Sequence, residues 1–91
     1  MAHSVNLSWT ASTDPVSGYN IYKGTVSGQE TTLVNTALIT GTTYNDTSEG
    51  PGVLFYVARS VLNGVESINS NEVKATILPA APTALTVVSV V

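Results

Sequence analysis

The side chains able to do chemistry are few and scattered. His3 is the only histidine, and it stands at the N-terminus. A catalytic triad or a metal site needs partners at defined positions. Asp14 and Asp46, set among turn-forming residues, have no evident relation to it. The six carboxylates are Asp14, Glu30, Asp46, Glu49, Glu66 and Glu72. A general acid/base pair needs two carboxyls in environments that separate their pKa values, and no spacing here brings two together. A calcium loop places acidic residues at alternate positions, which Asp14, Asp46 and Glu49 do not do. Asp14 and Asp46 read instead as turn residues whose side chains cap nearby amides. With no cysteine in the chain, disulfides and thiolate metal sites are excluded. The sequence therefore predicts no catalytic residue, no metal and no cofactor. The triplets Asn6-Leu7-Ser8 and Asn45-Asp46-Thr47 match the glycosylation acceptor pattern, which is common by chance.

Charge excludes another class of function. Only 10% of the residues are charged and the net charge is −3. Binding to phosphate backbones needs clustered Lys and Arg, whereas Lys23, Arg59 and Lys74 are dispersed. No nucleic-acid partner is expected. No stretch approaches the roughly 20 apolar residues that span a bilayer, so no membrane insertion is expected. Met1-Ala2-His3-Ser4 has neither the basic segment nor the apolar run of a signal peptide. With a native Met1 the chain would be cytosolic, or built into a particle made inside a host cell. Otherwise it is an excised module.

The 91 residues make one domain with a thin core. Its elements read as strands, because short apolar alternations are separated by turn signals. Val5, Leu7 and Trp9 alternate with polar residues. Asp14-Pro15-Val16-Ser17-Gly18 is a turn, since proline fixes φ and Gly18 permits a positive one. Tyr19 to Lys23 is a strand with Tyr19 and Ile21 on one face and Asn20 and Tyr22 on the other. Short strands follow around Leu33-Val34 and Thr42-Thr43-Tyr44, then a turn over Ser48 to Gly52. Val53 to Val61 is the longest strand. It carries Leu54, Tyr56, Ala58 and Ser60 on one face and Phe55, Val57, Arg59 and Val61 on the other. Asn63-Gly64 is the strongest hairpin signal, since both residues tolerate positive φ. Ser70 to Ile77 returns as its partner. Pro79-Ala80-Ala81-Pro82 is a stiff linker, and Thr83 to Val91 is a further β-rich run. The pattern predicts an all-β antiparallel sandwich.

These residues carry a resemblance. Leu7-Ser8-Trp9, Gly18-Tyr19-Asn20-Ile21-Tyr22, Phe55-Tyr56-Val57-Ala58, Asn63-Gly64-Val65-Glu66-Ser67 and Ser70-Asn71-Glu72-Val73 together resemble bacterial and phage fibronectin type III domains. The resemblance covers Ser4 to Ile77 and implies an immunoglobulin-like sandwich. Trp9 is then the core tryptophan of strand B, Tyr19 and Ile21 the inward pair of strand C, and Ser70 to Ile77 strand G. Two departures stand out. Leu54 occupies the position of the tyrosine that usually caps the turn before strand F. The family's strand A does not precede Ser4, while Pro79 to Leu85 looks like such a strand displaced to the C-terminus. The expected organisation is a sandwich of strands B to G over residues 1–78, then a linker and C-terminal strand over 79–91.

The expected core is Trp9, Tyr19, Ile21, Leu54, Tyr56 and Ala58. Tyr22, Phe55 and Val57 are expected to form an exposed face that contacts a partner, either a protein or a glycan. The resemblance implies no activity, since one fold serves many functions. The expectation is a non-enzymatic structural protein of a virion or cell surface. It would self-assemble by giving its C-terminal strand, through Leu85, Val87, Val88 and Val90, to a neighbouring subunit. The alternative is an adhesion or carbohydrate-binding module of a larger extracellular protein.

Overall fold

The computed structural model describes residues 3–91. Among them are seven strands: β1 (His3–Ser8), β2 (Gly18–Gly24), β3 (Thr32–Leu33), β4 (Thr43–Glu49), β5 (Gly52–Leu62), β6 (Val65–Glu66) and β7 (Val73–Ile77). The described residues contain no helix. All pairings between the strands are antiparallel. One sheet is β1 with β4; the other runs β3-β2-β5-β6, with β7 also on β5. The two sheets face each other, as in a β-sandwich.

Alternation in the sequence sets which side chains face inward. Along β1 and into Trp9, half-buried and exposed residues alternate, with Val5, Leu7 and Trp9 on the covered side. Tyr19 and Ile21 of β2 pair with Ser60 and Ala58 of β5 on the inner face, and Tyr56 of β5 pairs with Val73 of β7. Tyr19, Ile21, Tyr56, Val57 and Val61 are buried. Trp9, Leu54 and Ala58 are only half-buried. Trp9 meets Tyr19 edge-on, with 5.5 Å between ring centres. A two-stranded sheet is too narrow to cover an indole from every side, which accounts for its partial exposure.

Several turns differ from the sequence expectation. Asn63 and Gly64 do take positive φ, 51° and 79°, as a tight hairpin turn requires. Gly18 does not. It opens β2 opposite Val61, and a glycine is needed there because a Cβ would stand 2.6 Å from the Ile39 carbonyl oxygen. Asp46 is not a turn residue: it lies within β4 opposite Val5. Regular pairing of β7 begins at Val73 rather than at Ser70. The Ser70 amide still donates to the Ala58 carbonyl, and the Ala58 amide donates to Ser70 Oγ.

Residues 78–91 are exposed and form no strand. The molecule is 70 Å long but only 23 Å and 20 Å across. A strand needs a partner for its amides and carbonyls, so β-propensity alone does not make Thr83 to Val91 one. Ala84 takes a left-handed φ of 56°, which no strand adopts.

Candidate functional site

The expected outward face of β5 is occupied by the protein itself. Val57 is 4% exposed, and Tyr22 and Phe55 are half-buried. On this face Tyr22 pairs with Val57 and Gly24 with Phe55. What the sequence did not reveal is how this face is covered. The Arg59 guanidinium lies 4.4 Å from the centre of the Tyr22 ring. Glu66 accepts hydrogen bonds from Asn20 Nδ2, Tyr22 Oη and Arg59 Nη1 at 2.9, 2.5 and 3.0 Å. These donors hold the Glu66 carboxyl below the usual carboxylate value, with Tyr22 the largest cause. At the other end the Thr25 to Thr31 loop folds over the same face. A Cβ on Gly24 would meet the Gln29 carbonyl oxygen at 2.2 Å.

That loop is tied down by carboxyls. Glu72 accepts from Ser27 Oγ and from the Gly28 amide, both at 2.7 Å. Glu30 is 5% exposed, and its Oε2 has no hydrogen-bond partner. Its pKa is raised, chiefly because its protonated form hydrogen-bonds to Glu72 and secondarily by burial. Glu72 is correspondingly held low. Glu72 thus ties down the loop, and no group of three or more His, Cys, Asp or Glu able to hold a metal ion occurs among the described residues.

A second charged cluster bridges the sheets. Tyr56 Oη donates to Asp46 Oδ2 at 2.6 Å. Lys23 Nζ donates to Glu49 and lies 3.6 Å from Asp46 Oδ2. Its pKa is raised by the Glu49 hydrogen bond first, against burial. Burial and Asp46 push the Tyr56 phenol far up. Both shifts keep the groups in their ordinary protonation states at neutral pH. This suits an inter-sheet tie and gives no poised acid or base. His3, half-buried at the start of β1, pairs in register with Glu49.

The remaining feature is an open groove beside an open strand. Among the described residues β1 pairs with β4 and with no other strand. The Trp9 amide donates to the Thr42 carbonyl at 2.9 Å. By alternation, the backbone groups of Asn6 and Ser8 point the other way, to the open edge. Beneath this edge lies a groove of about 360 Å³ between the sheets, lined by Leu7, Trp9, Ile21, Tyr56 and Val73 among others. The Trp9 indole Nε1 is buried and has no hydrogen-bond partner, which is costly for a donor removed from water. No family model matches the sequence, and neither a curated protein nor a solved structure matches it.

The C-terminal residues singled out in the sequence all lie in solvent. Leu85, Val87, Val88 and Val90 are each at least 80% exposed. Isolated apolar side chains on a surface need no explanation, but a run of them on an extended segment does. Sequence reasoning found this tail. It missed the Glu66 bonds to Asn20 and Tyr22 and the Glu72 bonds to Ser27 and Gly28, because each joins residues more than 40 positions apart. No local pattern signals such contacts.

Proposed function

We propose that the chain is a non-enzymatic structural module of the fibronectin type III kind. It assembles head to tail by laying residues Thr83 to Val91 against β1 of a neighbouring copy. The observation that carries this reading is the pair of unmet partners on one molecule: an open β1 edge over an apolar groove, and an exposed, unpaired apolar tail.

Geometry favours a neighbour over the chain's own edge. Glu49 pairs with His3, and β7 ends with Ile77 opposite Gly52, just after Glu49. The tail therefore leaves at the end of the sandwich where β1 starts. A strand antiparallel to β1 has to begin at the other end, beside Trp9. To get there the chain would first retrace the length of β1, about 20 Å for its six residues. Leu78 to Pro82 reaches at most about 17 Å, and two prolines oppose a reversal. Donation in trans needs no reversal. It is also directional, so it yields a ring or a filament. A weakly charged chain in such an assembly suits a virion or a cell-surface filament. The alternative of a glycan-binding module gains no support from Tyr22, whose ring is covered by Arg59.

The test is the mass in solution. The full-length chain should form species above its 9.4 kDa monomer as concentration rises. A chain ending at Pro82 should remain monomeric and folded, since the strand pairings all lie within His3 to Ile77. A full-length chain that stays monomeric at high concentration, with its tail ordered on its own sheet, overturns the proposal.

A further inference from the structure

Resting on that reading, we infer the register of the donated strand: Thr83, Leu85, Val87 and Ser89 of one copy lie inward, opposite Trp9, Leu7, Val5 and His3 of the next. The covered side of β1 reads polar–apolar–apolar–polar in the order His3, Val5, Leu7, Trp9, if the unpartnered indole N–H is counted as polar. An antiparallel partner has to present the same order of character. Thr83, Leu85, Val87 and Ser89 do so at the two-residue spacing of one strand face.

The other face of the tail does not fit. Ala84, Thr86, Val88 and Val90 would set a hydroxyl against the apolar centre and a methyl under the indole. Shifting the register by two residues places Ser89 against Val5, or Thr83 against Leu7. Either shift buries a hydroxyl among hydrocarbon without a partner. In the inferred register the Thr83 hydroxyl accepts from Trp9 Nε1, and Leu85 enters the groove beside Leu7. The open-edge backbone groups of Ser8 and Asn6 then face Ala84 and Thr86. Ala84 gives up its left-handed φ on docking, so the tail becomes a strand only against a partner.

The chain has no native cysteine and one tryptophan, which makes the register directly readable. Ser8 and Ala84 are both exposed. Directly opposed residues of an antiparallel pair have Cα atoms about 5.5 Å apart, within the range of a disulfide. The full-length Ser8→Cys/Ala84→Cys double variant should oxidise to a ladder of covalent dimers, trimers and longer chains. Ser8→Cys/Val88→Cys, four residues out of register, should not. In the assembled wild type, exchange of the single indole N–H should slow by about tenfold relative to monomer. Thr83→Val should remove that protection while assembly persists.

Assembly of the wild type with the ladder appearing equally in the Val88 pair, or with an unprotected indole, overturns the register and leaves strand donation standing. Absence of assembly in the wild type, or a Ser8→Cys/Ala84→Cys bridge closed within one monomer, overturns the donation reading beneath it.

Discussion

Tyr56 Oη donates to Asp46 Oδ2 across the interface between the two sheets, at 2.6 Å. Tyr56 is 1% exposed and Asp46 6%. Asp46 stands on β4 of the narrow sheet and Tyr56 in the middle of β5, so this bond ties the sheets where water is excluded. Lys23 completes the site by balancing the carboxylate charge. A charged group this deep persists only when it is paired and hydrogen-bonded.

Tyr56→Phe keeps the ring and removes the donor. It should cost about 1–3 kcal/mol, the penalty for leaving a buried acceptor short of a partner. Urea denaturation of the chain ending at Pro82, which lacks the exposed tail, measures this directly. A loss near zero would show that Lys23 alone satisfies Asp46.

Glu30→Gln should stabilise the fold at neutral pH and do little in acid. The Glu30 pKa is raised above its ordinary 4.5. Its favourable contribution is thus complete below about 4.5 and is lost as pH rises through the higher folded value. Glutamine keeps a donor toward Glu72 at every pH. Denaturation midpoints at pH 4 and pH 7 should therefore diverge, with the variant ahead only at the higher pH. A constant difference between the two would sink the carboxyl-pair explanation.

Glu66→Gln should act with the opposite sign. Its folded pKa is lowered by Tyr22, Asn20 and Arg59, so its contribution is present above the ordinary carboxylate value. That contribution disappears as pH falls through the lower folded one. The variant should be less stable than wild type at pH 7 and close to it near pH 2. Near-identical curves at both pH values would mean that the network over Tyr22 contributes nothing net.

Gly24→Ala should destabilise by about 1–3 kcal/mol, as overpacking does. The added methyl would stand 2.2 Å from a backbone oxygen of Gln29, and a backbone atom cannot swing aside as a side-chain tip can. The same change at Gly50, where a Cβ meets nothing within 4 Å, serves as the control. Equal effects at the two sites would contradict the close approach of the loop.

The local elements were legible in the sequence because they rest on short-range rules. Asn63-Gly64 is a turn because its backbone tolerates positive φ, and the two faces of β5 follow from strict alternation. Burial on the outer face was not legible. Alternation places Val57 opposite the core side, and nothing local tells whether that side meets water or a folded-back loop. The loop lies against Gly24 on that side, where Glu72 captures Ser27 and Gly28. Asn35 was equally silent in the sequence. It accepts from the Ile21 amide at 2.8 Å and donates to Asn20 Oδ1 and the Ala37 carbonyl, so it continues the edge of β2 where β3 ends.

By itself the sequence determined an all-β chain, the faces of its strands and the presence of an apolar tail after a proline linker. Side-chain period and turn chemistry are properties of neighbours along the chain. Only the tertiary structure decided that, among the described residues, β1 keeps an open edge over an apolar groove, the Trp9 indole lacks an acceptor and the tail finds no partner. Those depend on which segments meet in space. Local propensity proposes a strand, but hydrogen-bonding partners far away in the chain, or on another chain, decide whether it becomes one.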